Sequence, residues 1–174
     1  MTLMPQRWMT FFTMPVGRVA VVALLLALAS GETAYGQDLQ RESLRGIGAV
    51  WVVIETLGED ATGIGFSEAG LKASVELQLR RNGVPLTELA TAPFLYVNTL
   101  VIRSNPAIFS TVSVKLNQPV TVDANRQSRT LTTWDNAFLS VRSSADLTRD
   151  WIRDRISESV DVFSNDYLTV NPQP

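Results

Sequence analysis

The chain has 174 residues, of which 45% are hydrophobic and 18% charged, and its formal net charge is −2. It contains no His and no Cys, and its four Met all occur by residue 14. This inventory excludes Ser-His-Asp and Cys-His nucleophile systems as well as disulfides, and it removes the ligands that zinc and copper sites prefer.

The first 36 residues have the pattern of a secretory signal peptide. Arg7 and Arg18 supply positive charge, Val19–Ala29 is an uninterrupted apolar run, and small residues lead to Gly36. The run has 11 residues, whereas a membrane-spanning helix needs about 20. We expect cleavage after Gly36, with Ala29 as the alternative site, and export to the periplasm or the medium without a permanent membrane anchor. No Cys near the site could carry a lipid.

Cleavage after Gly36 leaves a single predicted α+β domain over residues 37–174. The leader takes two of the 15 basic residues and one of the 17 acidic ones, which leaves a net charge of −3. The remaining basic residues are scattered rather than gathered on one face, so no nucleic-acid partner is predicted. The sequence does not specify the oligomeric state.

The first two predicted elements are a strand and a helix. Ile47–Leu57 is apolar at both alternating sets of positions, which is typical of a central strand, and Gly58–Gly65 reads as a loop. A helix is predicted from Ser67, whose hydroxyl can cap it, to a stop at Asn82-Gly83. Its core-facing stripe consists of Leu71, Val75 and Leu79.

A run of strands follows. The strand Ile108–Val122 alternates apolar and polar residues most regularly, as an antiparallel strand with one solvated face does. Pro119 cannot donate to a ladder and therefore predicts an edge or a bulge there. The other predicted parts are a strand Phe94–Arg103, a hairpin loop Asp123–Ser128, a strand Arg129–Trp134, a bend at Asp135-Asn136 and a short extension Ala137–Val141.

A long helix is predicted from about Ser144 to Tyr167. Ser143 and Asp146 approximate a capping box, and a pair between Arg155 and Glu158 is expected on the outer face. The apolar tail, residues 167–170, is predicted to dock on the sheet or to add a strand. The stripe of this helix is Ile152, Ile156, Val160, Phe163 and Tyr167.

The element order predicts a two-layer α+β sandwich, with a mostly antiparallel sheet and two helices on one face. A dinucleotide fingerprint is approached at Gly63–Glu68, but Glu68 stands where the third glycine belongs and would repel a pyrophosphate. The acids Glu55, Glu59 and Asp60 lack calcium-loop spacing. No cofactor, metal or catalytic residue is predicted.

Three residues are candidates for a contact surface. Trp134 and Asp135 stand together at a predicted strand end, where an indole could stack on a sugar or peptide. Trp151 flanks the main stripe of the last helix and could border a partner contact. Core packing is the alternative for both tryptophans.

Four segments, GAVWVVIE, ELQLRRNGV, FLYVN and VDVFSNDYLTVNP, make the chain similar to a group of small exported bacterial proteins without assigned activity. Its architecture resembles periplasmic modules such as the TolB amino-terminal domain and the CsgG-like and LptE-like proteins. The resemblance implies an envelope-assembly role without known catalytic residues. The chain departs from the lipoproteins among these in lacking a lipid-bearing Cys.

Three functional hypotheses follow. The first is an exported non-enzymatic module that binds an envelope protein or a small ligand. The second is a carboxylate-dependent hydrolase of a glycan or cell-wall polymer, which needs two of Glu55, Asp123 and Asp135 within about 5–10 Å. The third is an oligomeric scaffold built through open sheet edges.

Overall fold

A computed structural model describes residues 36–172, so all but the last residue of the predicted leader lies outside the described part. Its centre is a four-stranded sheet in the order β1-β2-β3-β4. The first strand runs parallel to the second, and the other two pairs are antiparallel. The strands are β1 (Trp51–Ile54), β2 (Phe94–Ser104), β3 (Ala107–Val122) and β4 (Gln127–Arg142).

Three helices complete the fold: α1 (Glu59–Gly63), α2 (Glu68–Arg81) and α3 (Ala145–Val170). Residues 36–42 are also helical. The long helix α3 packs on β3 and β4 and contacts α2, while α2 packs on β1. The predicted two-layer α+β sandwich is confirmed. We call the side of the sheet that carries the helices the covered face and the other side the open face.

Strand β1 differs from its prediction, because it has four residues and lies at the edge of the sheet. Its covered-face side chain Val52 is buried. On the open face, Trp51 packs on Phe94 of β2 with ring centroids 5.4 Å apart. The interpretation as a central strand was wrong. The apolar side chains on the open face of β1 are covered by aromatic neighbours rather than by a further layer.

The helix predicted from Ser67 is confirmed. The Ser67 hydroxyl accepts from the amide of Gly70, and the helix stops before Gly83, whose φ of +84° suits a residue without a Cβ. The preceding segment, predicted as a loop, contains the short helix α1. There, Asp60 accepts a hydrogen bond from the amide of Arg103, which fastens α1 to the end of β2.

Strands β2 and β3 match the predicted strands Phe94–Arg103 and Ile108–Val122, and they pair as an antiparallel hairpin. Alternate residues of β3 are buried on the covered face from Ile108 to Leu116. The last residue of β3 paired with β2 is Asn117. Pro119 therefore lies where one side of β3 is a free edge, which its missing amide tolerates.

Strand β4 is continuous over 16 residues, so the predicted bend at Asp135-Asn136 is wrong. The irregularity comes earlier, where Leu116 pairs with Trp134 but Asn117 pairs with Thr132. Thr133 is thus the extra residue of a β-bulge. Its carbonyl accepts from the Ser43 hydroxyl, which gives this backbone group a partner outside the β3–β4 ladder. Its hydroxyl accepts from the Gln118 side chain.

Helix α3 begins one residue later than the predicted capping box implies, because Ser144 rather than Ser143 accepts from the amide of Leu147. The predicted apolar tail is helical to Val170 and adds no strand. The hydroxyl of Tyr167 donates to the carbonyl of Ile47 at 2.8 Å, and burial raises the pKa of this hydroxyl. The predicted pair between Arg155 and Glu158 is present.

Candidate functional site

The open face of the sheet carries an apolar cluster that no described residue covers. Two ladder rows cross three strands there: Leu100 opposite Thr111 opposite Leu139, and Ile102 opposite Phe109 opposite Val141. We call the five apolar residues of these rows the open-face patch. Their exposed fractions are 50% for Leu100, 49% for Ile102, 42% for Phe109, 72% for Leu139 and 57% for Val141.

The patch is contiguous because of the period of a β-strand. Side chains at alternate positions share a face, and facing residues on neighbouring antiparallel strands lie about 4.5–5.5 Å apart. Single exposed apolar residues are ordinary on protein surfaces, but a contiguous group marks a site of interaction with a protein, a ligand or a membrane. The patch is therefore the candidate site.

The other end of the open face is polar and aromatic. Glu55, just after β1, accepts hydrogen bonds from the Tyr96 hydroxyl and, at 2.9 Å, from the Asn98 amide. Lys115 stands opposite Asp135 on β4. These partners hold the side chain of Glu55 against the sheet, so the polar end borders the patch as a fixed rim.

Trp134, predicted as a contact residue, faces the helices. It is 2% exposed, its indole NH donates to Asp166 at 3.0 Å, and its ring meets Phe163 edge-on with centroids 5.2 Å apart. Because strand side chains alternate, Trp134 points to the covered face while Asp135 points to the open one. The structure thus separates the two neighbours onto different faces.

Asp135 is exposed beside Gln40. The Gln40 side chain donates to its carboxylate at 3.1 Å and accepts from its backbone amide at 3.3 Å. Trp151 is half-buried on α3, where the guanidinium of Arg142 lies 5.5 Å from its ring centroid. The structure does not bring Trp151 and Asp135 onto one face, and a contact through either residue stays a prediction.

The acids of the hydrolase hypothesis do not converge. Glu55 extends β1 and Asp135 lies on β4, at opposite edges of the sheet, so three strand spacings separate their backbones by roughly 14 Å. Asp123 is exposed in the β3–β4 turn, 3.8 Å from Arg126. No pair of these carboxylates flanks a common groove, which removes the version of the hydrolase that uses them.

The near-fingerprint before α2 is occupied by its own side chains. The Glu68 carboxylate accepts a hydrogen bond from the amide of Leu57 at 3.1 Å, and the Ser67 hydroxyl accepts one from the amide of Gly70. A groove of about 440 Å³ beside this turn runs between α2 and α3. Arg153 lies over the Phe66 ring in it, 5.9 Å from the centroid. The groove carries no cluster of groups that matches a catalytic or phosphate-binding arrangement.

Over residues 36–172, no group of three or more acidic side chains is arranged to hold a metal ion. Within the same range, no helix combines the length and the apolar character that crossing a bilayer demands.

Sequence reasoning missed the open-face patch. The signal was present, because β2 carries Leu100 and Ile102 among residues apolar at both alternating positions, and β4 carries Leu139 and Val141. Apolar residues at both alternating positions of a strand are also typical of burial between two layers, so this pattern does not by itself identify an exposed patch. A sheet with helices on only one face leaves the second set in solvent.

The chain matches no protein-family model, and no curated protein is significantly similar to it. Among solved structures it is similar to a minor lipoprotein from Acinetobacter baumannii. That similarity has 13% identity and a TM-score of 0.35 over 75% of this chain and 99% of the other. A second similarity is to the rare lipoprotein B from Shewanella oneidensis, with 14% identity and a TM-score of 0.26 over 70% of this chain and 91% of the other. Both TM-scores are low, so the properties of these proteins do not transfer to this chain.

Proposed function

We propose that the chain is an exported, non-enzymatic module that binds another envelope protein through the open-face patch. The observation that carries this proposal is the exposure of five large apolar side chains in two adjoining rows, at 42% to 72% of their surface. Burying such side chains in a partner contributes binding free energy by the hydrophobic effect. The proposed export rests on the leader pattern of the sequence.

The shape of the patch favours a protein partner over a small ligand. Small-molecule sites are concave and enclose most of the ligand surface. The patch lies on the side chains of three pleated strands and offers a broad face instead. Its composition also fits the core of a protein interface, where aliphatic and aromatic side chains are surrounded by a polar rim. Tyr96, Lys115 and Asp135 supply that rim on the same face.

The arrangement of the ionisable groups supports a non-enzymatic role. Asp166 receives the Trp134 indole and the Arg41 guanidinium, and Asp60 and Glu68 hold backbone amides. These carboxylates fix one element to the next. Catalysis by a carboxylate pair needs two acids that converge on one bond, and the candidates predicted for that role stand apart.

Site-specific photo-crosslinking in the living cell tests the proposal. A photo-reactive amino acid at Ile102 or Phe109 should crosslink to a discrete envelope protein. The matched control position is Leu77, an apolar residue on the outer side of α2 that is 46% exposed. We expect a specific adduct from the two open-face positions and none from Leu77. Equal crosslinking from all three positions would show that the patch is not the binding surface.

A further inference from the structure

We propose that the free edge of β4 pairs with the β4 of a second copy, so that two four-stranded sheets join into one about a two-fold axis at Leu139. This inference is independent of the proposed partner, since it uses the backbone edge of β4 rather than the face of the patch. It assigns a dimer contact to the segment Asn136–Arg142.

The outward direction of the β4 amides follows from a hydrogen bond. The Asp135 amide donates to the side chain of Gln40 rather than to β3. Amides alternate between the two edges of a strand, so those of Ala137, Leu139 and Val141 point the same way. No other part of residues 36–172 takes up the amides or carbonyls of these three residues. The edge therefore presents a row of unpaired donors and acceptors.

The free part of β4 lacks the usual protections of an edge strand. Natural edges are blunted by charged residues, proline, bulges or a covering segment. The first part of β4 has such devices, namely Arg129, the bulge at Thr133 and the cover of Gln40 on Asp135. From residue 136 to 141 the sequence is NAFLSV, which has no charge and no proline. The one charged residue of the segment, Arg142, stands at its end with its guanidinium over the Trp151 ring.

Side chains on the covered face leave this edge accessible. The guanidinium of Arg155 lies 5.3 Å from the ring centroid of Phe138, and that of Arg142 lies over Trp151. Both contacts hold β4 side chains against its own helix. The open-face residues Leu139 and Val141 remain the exposed ones.

The free segment is compatible with a copy of itself in the antiparallel direction. With Leu139 on the axis, Ala137 faces Val141 of the second copy, and Asn136 faces its Arg142. No like charges meet, and small residues stand opposite larger ones. The outward groups of Ala137, Leu139 and Val141 from both copies would form about six backbone hydrogen bonds. This register pairs the whole free segment, because Leu139 is its midpoint.

The opposite edge of the sheet favours a closed dimer over a filament. Strand β1 has four residues, and the segment after α2 bonds to its start: the Val50 amide donates to Pro85 and the Thr87 amide to Val50. A β1-to-β4 contact would repeat without closing, but β1 offers little free edge for it. Pairing two β4 edges instead gives a closed two-fold dimer, because each edge is then used by the other copy.

The size of the contact sets its strength. Stable interfaces bury about 800 Å² per partner, and pairing one short edge buries less, even with Leu139 and Val141 placed beside their copies. We therefore expect a dimer that exchanges with monomer, so that the average mass rises with protein concentration toward twice the monomer value.

The absence of native Cys permits a direct test on the exported protein. In the predicted register the two Leu139 Cα atoms lie about 5.5 Å apart, which is within disulfide range. Leu139→Cys should form a disulfide-linked dimer under mild oxidation several times faster than Leu131→Cys, an exposed control on the same strand. Equal rates, or linkage of Leu139→Cys only to a different protein, would overturn the proposal.

Three further variants separate this dimer from partner binding and from misfolding. Ala137→Pro removes an outward amide that β3 does not use, and Leu139→Lys places two like charges at the axis. Each should give a monomer by light scattering at all concentrations, with an unchanged circular dichroism spectrum. Phe109→Ser lies off the edge and should keep the dimer while losing the proposed partner. A dimer that survives Leu139→Lys in folded protein contradicts the inference.

Discussion

The covered and open faces of the sheet are built from the same strands and are both apolar, yet they differ in what they contact. Along β3, Val112, Val114 and Leu116 are fully buried under the helices, whereas Phe109 of the same strand is 42% exposed. The covered set contributes to folding by leaving water. The open set is largely in water after folding, so it contributes less to folding and stays available for contacts with other molecules.

The largest expected effect comes from removing a ring on the covered side. Phe163 is fully buried between Trp134 and Tyr167, so Phe163→Ala should lower the free energy of unfolding by about 3–5 kcal/mol. The matched open-face change, Phe109→Ala, should lower it by about 1 kcal/mol or less, because much of that ring is already in solvent. Urea unfolding of both variants measures the difference. Equal losses would break the distinction between the faces.

The next effect concerns the buried hydroxyl beneath α3. Tyr167→Phe leaves the carbonyl of Ile47 without its closest donor, which should cost about 1–3 kcal/mol of unfolding free energy. The Gly48 carbonyl lies farther from the same hydroxyl, at 3.4 Å. Thermal or urea unfolding against the wild type checks the value. A neutral substitution would show that water reaches this carbonyl.

The same hydroxyl predicts a pH dependence. Burial raises its pKa in the folded protein above the usual 10.0, so the folded state keeps the proton when the unfolded state has lost it. The stability from Tyr167 is fully present below pH 10 and falls as the pH rises through the folded pKa. The stability advantage of the wild type over Tyr167→Phe should therefore shrink in alkaline buffer. An advantage that grows above pH 10 would contradict this sign.

Smaller effects are expected at the helix caps on the covered side. Ser67→Ala and Ser144→Ala each remove a side-chain acceptor from an N-terminal amide and should each cost about 1 kcal/mol. Ser128→Ala, at an exposed position of β4, is the control and should stay within about 0.5 kcal/mol. Urea unfolding compares the three. If the two cap substitutions lower the free energy of unfolding no more than Ser128→Ala does, packing alone determines where the helices begin.

The smallest expected effect on stability is the most informative about the open face. Leu100→Thr introduces a β-branched residue, which is favourable in a strand, and removes an apolar side chain that is half exposed. The free energy of unfolding should change by about 0.5 kcal/mol or less. A loss of several kcal/mol would place Leu100 in the folding core after all.

Sequence patterns were sufficient for the covered face and insufficient for the open one. The spacing of Leu71, Val75 and Leu79 and the alternation of β3 have periods that identify a buried stripe directly, and both predictions were confirmed. The position of the irregularity in β4 was harder to predict, because it depends on hydrogen bonds. The irregularity in β4 lies at Thr133 rather than at Asp135-Asn136, because contacts from Ser43 and Gln118, distant in sequence, stabilise it there.

The candidate site depended on information that no local pattern holds. Whether Leu100 and Leu139 are buried depends on how many layers the fold has. The sequence pattern of an apolar strand residue is the same whether a second layer covers it or solvent does. Trp134 and Asp135 look like one site in the sequence, but the period of the strand sends them to opposite faces. Tertiary packing determines the number of layers and which alternate residues of a strand face the helices.

The most direct test of the role of the open face measures folding and binding on one variant. The double substitution Ile102→Ser and Phe109→Ser changes adjacent open-face residues away from the β4 edge. We expect a protein that still unfolds cooperatively, with a stability lowered by no more than about 2 kcal/mol, and that loses crosslinking to its envelope partner from a photo-reactive residue at Leu100. An unchanged crosslink, or a chain that no longer folds, would contradict it.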